Sequence, residues 1–192
     1  KAYKPYDGLS LSVVLKAEGT IEKHVVGSVT ESLVADPVAP EDYARLTEIF
    51  ENPSLQMVTF TITEKGYSLV NGKLPGVEDG FLAGPGNQSH LMGRIASLCY
   101  ARFVKNGTPL ALVSTDNCSH NGDKLKAGVM AYVDAWKQAG KVDDDFVSYM
   151  EEKVSFPWSM IDKITPRPDE KVKEMLEKDG FEDTDLIITS RN

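Results

Sequence analysis

Basic residues are outnumbered, histidine and cysteine are scarce, and no long apolar run occurs. The 21 Lys and Arg stand against 29 Asp and Glu, for a net charge of −8 and a pI near 4.9. A surface of that sign argues against a nucleic-acid partner, because a phosphate backbone calls for clustered cations. No apolar stretch approaches the ~20 residues needed to cross a bilayer, so no membrane partner is expected. The opening Lys1-Ala2-Tyr3-Lys4-Pro5 lacks the apolar core of a secretory signal. Cys99 and Cys118, the only two cysteines, cannot build a disulfide scaffold. They read as reduced, partly buried thiols of a cytoplasmic protein. Of the three histidines, His24 and His90 sit in contexts unrelated to His120, so no metal site is expected. An initiator Met is also missing, and the expectation is a fragment of a longer chain.

What is present fits a soluble globular domain: 192 residues, 41% hydrophobic and 26% charged. Leu9, Leu11, Val13 and Leu15 alternate with polar residues, then Ala17–Thr20 turns and His24–Val29 returns, which predicts a leading β-hairpin. Helical spacing follows over 41–50, ended by Asn52-Pro53. Buried strands are expected over 57–62 and 110–114, both β-branched or apolar runs. Between them lie a glycine- and proline-rich stretch, 71–88, read as a long loop, and a helix carrying Leu91, Ile95, Leu98 and Phe103. Further helices are expected from about Asp123 to Gly140, from Asp143-Asp144-Asp145 onward, and after Asp169, with Gly180 as a C-terminal cap. Residues 155–168 read as extended and Leu186–Thr189 as a short last strand. Helices alternating with buried strands predict an α/β domain with a mostly parallel sheet.

Ligands of such sheets bind beyond the carboxyl ends of the strands. Two strand ends are densely polar: Thr63-Glu64-Lys65-Gly66-Tyr67, and Thr115-Asp116-Asn117 followed by Cys118-Ser119-His120-Asn121-Gly122-Asp123. Asp and Asn also serve as turn and cap residues, and that reading stands beside the functional one. A Cys118–His120 nucleophilic pair is disfavoured, since loop residues this close in sequence rarely point together. The Gly84-Pro85-Gly86 stretch follows no strand and lacks a third glycine, so it is not a dinucleotide motif. Phe156, Trp158 and Met160 read as core. Asp162 stands in an apolar run and must be paired, for instance with Lys163 or Arg167, or solvated in a cleft.

Three blocks taken together carry more. Thr61-Ile62-Thr63-Glu64-Lys65-Gly66-Tyr67, then Ser114-Thr115-Asp116-Asn117 with Asn121-Gly122-Asp123, then Ser155-Phe156-Pro157-Trp158-Ser159-Met160-Ile161-Asp162-Lys163-Ile164-Thr165-Pro166 resemble the polyol-specific long-chain dehydrogenase (mannitol 2-dehydrogenase) family. The resemblance covers nearly the whole chain, and Trp158 leans it toward the fructuronate and tagaturonate reductase branch, the mannonate and altronate oxidoreductases. It implies a Rossmann-like NAD-binding domain followed by a helical substrate domain. It also implies metal-independent hydride transfer between nicotinamide and a sugar-derived ketone or alcohol. By resemblance, Asn117 is the catalytic amide that hydrogen-bonds the reacting oxygen. Thr63, Glu64, Thr115 and Asp116 face the cofactor, and Ile161 and Asp162 line the substrate site.

Two elements of the family pattern are not found. One is the glycine-rich first βα turn that cradles the pyrophosphate. The other is the Lys…Asn…His arrangement holding the general acid/base, for which Lys171, Lys173 and Lys178 are no match. Residues 1–192 are therefore expected to be the later part of a cofactor domain, with the glycine-rich unit and the substrate domain supplied by the remainder of the chain. The resemblance implies a small sugar acid or polyol as partner and NAD as cofactor, with NADP left open. The competing reading is a non-catalytic acidic α/β binding module in which Asp116 and Asn117 only cap and turn.

Overall fold

A computed structural model describes residues 6–68, 78–86, 88–161 and 170–182. The chain divides into two compact units, Leu33–Ile161 and a second formed by Lys1–Ser32 with Asp162–Asn192.

The second unit contains the expected hairpin. β1 (Ser10–Leu15) pairs antiparallel with β2 (Ile21–Val26), with Ser10 opposite Val26 and Leu15 opposite Ile21. Gly19 carries the turn at a φ of 87°, a left-handed value that glycine takes without a Cβ clash. A helix, Glu170–Lys178, buries Val172 and Leu176, and Gly180 follows it at a φ of 88°. Its Phe181 N–H returns to the Leu176 carbonyl, closing the C-terminal turn. Lys23 and Asp179 form an ion pair within this unit. Asp162, Asp169 and the strand expected over 186–189 lie outside the described residues.

The larger unit is the α/β body. α1 (Pro40–Glu51) leads to β3 (Met57–Phe60), α2 (Glu78–Ala83), α3 (Leu91–Lys105) and β4 (Leu110–Ser114). α4 (Asn121–Gln138), α5 (Asp144–Glu152) and the two-residue β5 (Val154–Ser155) complete it. Among the described residues the sheet has the order β3-β4-β5, all parallel, with Met57 opposite Ala111 and Leu110 opposite Val154. The strands expected over 57–62 and 110–114 are adjacent and parallel, as β3 and β4. Leu110 and Leu112 of β4 are buried, as are Met92 and Ile95 from α3 and Leu125, Val129 and Trp136 from α4. α5 adds Phe146 and Met150 to the same core. Helices cover the central strand, the layering that forces a parallel sheet to read as continuous apolar runs.

The structure alters five expectations. β3 is not a buried strand: its residues alternate between exposed and half-buried, Met57 being 56% exposed, because among the described residues it pairs on one side only, with β4. β3 stops at Phe60 instead of Ile62, because the Ile62 N–H is taken by the Asp116 carboxylate rather than the ladder. The 71–88 stretch is not wholly loop, since α2 occupies Glu78–Ala83 and anchors Phe81 in the core. α4 begins at Asn121, two residues ahead of Asp123. β5 opens the segment read as merely extended, and at two residues it is too short for a periodicity to register.

Candidate functional site

The site forms where β3 and β4 end side by side. Three contacts join the strand ends: the Thr115 N–H and hydroxyl both donate to the Phe60 carbonyl, at 2.7 and 2.8 Å, and the Thr61 and Thr115 hydroxyls lie 2.7 Å apart. One residue on, Asp116 turns inward and is 7% exposed. Its carboxylate accepts from the Ile62 N–H at 2.8 Å, the Thr63 N–H at 3.0 Å and the Tyr67 hydroxyl. Burial alone would raise the Asp116 carboxyl. The hydrogen bonds from Tyr67, Ile62 and Thr63 outweigh burial and hold it below the ordinary carboxylate range. Tyr67 responds in the opposite direction, its phenol pushed up by burial and by donating to Asp116.

This arrangement bends the chain after β3 sharply. Thr63 sits at a φ of 73°, a left-handed conformation that a β-branched residue adopts only when its surroundings enforce it. Its carbonyl accepts from the Gly66 N–H, and the four-residue turn Glu64–Tyr67 follows. Thr63 is exposed at the sheet's carboxyl end, and Glu64 opens the turn beside it.

A second clamp fixes the other side of the β4 loop. Asn121, the first residue of α4, is 1% exposed. Its amide nitrogen lies 3.1 Å from the Asp116 carbonyl and 2.9 Å from both the carbonyl and the hydroxyl of Ser159. Its amide oxygen accepts from the Ser159 N–H at 3.1 Å. Ser159 in turn donates its hydroxyl to the Ser114 carbonyl. A Cβ on Gly122 would lie 2.5 Å from the Phe156 carbonyl oxygen, so only glycine admits the post-β5 segment this close. Asn121, Gly122 and Ser159 belong to the blocks of the family resemblance but were given no role there; a buried asparagine at a helix start beside a glycine is the local signal of such a clamp.

Between the two clamps, the loop presents Asn117, whose side chain is exposed. Cys118 is half-buried, and its N–H returns to the Asp116 carbonyl at 2.9 Å. His120 takes a left-handed φ of 56° and leans over Trp158, their ring centroids 4.3 Å apart. The Trp158 indole N–H donates to Asp123 at 3.0 Å. Trp158 is 60% and Met160 94% exposed, so neither is core; only Phe156 of that trio packs against the apolar interior. The chain leaving β5 here runs along the sheet's carboxyl end, where the indole is tethered to α4 instead of turned inward. Ile161 is partly buried, and Asp162 lies just beyond the described residues. The structure thus gathers Thr63, Thr115, Asp116 and Asn117 at the sheet's carboxyl end, with Asp116 directed into the protein. Among the described residues, no three His, Cys, Asp or Glu side chains are grouped to hold a metal ion, and no helix is long and apolar enough to cross a membrane.

A parallel sheet flanked by helices, with polar loops at the carboxyl ends of its strands, defines an open α/β domain whose ligand site lies at those strand ends. The family described as "Mannitol dehydrogenase Rossmann domain" matches residues 1–183, and the chain belongs to that family. It is 47% identical, over its full length and 36% of the relative, to the D-mannonate oxidoreductase of Thermotoga maritima. It is 34% identical, over 69% of its length and 28% of the relative, to a D-arabinitol 4-dehydrogenase of Ralstonia nicotianae. Its fold resembles the crystal structure of a D-sorbitol dehydrogenase in substrate-free form, with a TM-score of 0.79 at 26% identity, covering 98% of this chain and 38% of that one. A Pseudomonas fluorescens mannitol 2-dehydrogenase in ternary complex with NAD and D-mannitol gives 0.78 at 23% identity, over 98% and 37% of the two chains. The chain spans about a third of the length of the curated relatives it matches over its full extent.

Proposed function

We propose that this chain is the cofactor-side part of an NAD-dependent oxidoreductase that interconverts a keto-sugar acid and its alcohol, with fructuronate and mannonate the preferred pair. The observation that carries the reading is the β4 terminus. Asp116 and Asn121 tie its backbone down on both sides while Asn117 stands exposed between them. That terminus lies in a chain 47% identical along its whole length to a D-mannonate oxidoreductase.

NAD is compatible with this end of the sheet, where Thr61, Thr63 and Asn117 offer neutral exposed side chains and the Asp116 charge is already engaged by three donors. When bound, the nicotinamide ring supplies or accepts the hydride. Asn117 donates an amide hydrogen to the reacting oxygen and stabilises negative charge as it develops there. A rigid loop matters for that task, since a donor aimed in advance costs no reorganisation during the reaction. Thr63, Glu64 and Thr115 face the cofactor, and Asp116 acts by holding the Thr63 turn. Ile161 and Asp162 line the substrate side. The domain spans residues 1–192, and the rest of the full-length protein supplies the glycine-rich turn, the helical substrate domain and the acid/base lysine. The protein works in the cytoplasm and carries no catalytic metal.

A mannitol-type polyol dehydrogenase is the second reading, favoured by relatives such as the mannitol dehydrogenase 2 of Saccharomyces cerevisiae, 30% identical over 79% of this chain. Spectrophotometric assay of the full-length protein decides between them. NADH oxidation with fructuronate or tagaturonate, and little with fructose, supports the sugar-acid reading. The reverse order supports the polyol reading, and no turnover with any of them leaves a binding module.

A further inference from the structure

We infer that Trp158 is a specificity-determining residue: its indole face forms the wall of the substrate site on which the carbon chain of the sugar acid packs. The inference rests on the sugar-acid oxidoreductase reading. Trp158 is 60% exposed, whereas Trp136, the only other tryptophan, is fully buried. An exposed indole is ordinarily free to reorient, but this one is held at two points. Its N–H donates to Asp123 at 3.0 Å, and the His120 ring lies 4.3 Å away, centroid to centroid, tilted by 46°. His120 is itself within 3.3 Å of the same Asp123 carboxylate. The three side chains therefore set the ring orientation before any ligand arrives, which spares the ordering cost of binding.

The placement fits a substrate rather than the cofactor. Trp158 follows β5, whereas the Thr63 turn follows β3, and β4 with Asn117 lies between them. Its neighbour Ser159 is bonded to Asn121, so the indole and the Asn117 loop belong to one rigid assembly. Sugar acids present C–H groups along one side of their chain, and a fixed aromatic face buries those while leaving the hydroxyls to polar partners.

The test uses the full-length protein with fructuronate and NADH. Trp158→Ser should raise KM for fructuronate roughly tenfold, the size expected for losing a well-packed aromatic contact. It should leave kcat and KM for NADH within about twofold, and Trp158→Phe should recover most of the loss. Fructuronate should also change the tryptophan emission of the wild type and change that of Trp158→Phe distinctly less, a readout that survives if the Ser variant folds poorly. An unchanged KM for fructuronate in Trp158→Ser overturns the inference. A rise confined to KM for NADH overturns it as well, by placing the indole on the cofactor. A lower Tm with unchanged kinetics also overturns it, by making Trp158 a packing residue against the rest of the chain. A wild-type protein inert toward every sugar acid defeats the functional reading and this inference together, whereas an active wild type with an indifferent Trp158→Ser defeats the inference alone.

Discussion

Asp116 illustrates how a residue read from its position in a motif acquires a different role in the fold. By resemblance it faces the cofactor, yet its oxygens are taken by Ile62, Thr63 and Tyr67, partners 49 to 54 residues away in sequence. No local pattern encodes contacts of that range, so the sequence places Asp116 at the site without saying which way it points. The depressed carboxyl has a thermodynamic consequence. A folded-state pKa below the unfolded ~3.9 contributes stability that is fully present above that value and is lost as pH falls through the folded one. Asp116→Asn should therefore be destabilised by about 1–3 kcal/mol at neutral pH. Denaturant titrations should find the gap to wild type shrinking below about pH 4. A pH-independent gap would mean that the charge is immaterial. Trp158, an aromatic among apolar neighbours, reads as core, yet it is exposed and its indole bonds to Asp123, 35 residues away, a contact the pattern does not reveal.

At the scale of elements, legibility tracked length and periodicity. The hairpin announced itself by alternation, β3 and β4 by apolar β-branched runs, and α3, α4 and α5 by spacing and caps. The Asp143 cap, for example, accepts from the Phe146 N–H at 3.0 Å. β5 and α2 leave no legible signal, because two strand residues and six helical ones hold too little pattern. How elements are joined was legible least of all. Arg102 on α3 is fully buried and donates to five backbone carbonyls, those of Phe50, Asn52, Leu55, Thr108 and Pro109. It stitches the end of α1 and the entries to β3 and β4 onto α3. Arg102→Met leaves those acceptors without their donor and should cost about 3–5 kcal/mol, read as a fall in Tm and in the denaturant midpoint. A loss under about 1 kcal/mol would show that water replaces the guanidinium. Gly122→Ala sets a Cβ against the Phe156 and Pro157 carbonyls at 2.5 and 2.8 Å. It should destabilise by about 1–3 kcal/mol and lower activity by displacing the post-β5 segment, whereas a neutral outcome would show that segment to be free to move.

For the molecule as a whole, the parallel β3-β4-β5 sheet and the family match agree on a Rossmann-type cofactor domain. Yet the Gly84-Pro85-Gly86 stretch follows α2 rather than a strand. The 192-residue chain by itself should accordingly bind NAD weakly or not at all; calorimetric titration giving micromolar affinity would show that it already holds a complete pyrophosphate site. In the function proposed above, Asn117, exposed on a loop fixed by Asp116 and Asn121, donates to the reacting oxygen. The most direct test of that role is kcat for NADH-dependent fructuronate reduction by the full-length Asn117→Asp protein. An ionised carboxylate cannot donate and repels the developing charge, so kcat should fall by roughly 10²–10³ or more, with KM for NADH little changed. A turn-forming residue with no part in the chemistry would tolerate the same substitution, since Asp serves a turn or cap as well as Asn does. Near-normal turnover in Asn117→Asp would therefore contradict the account.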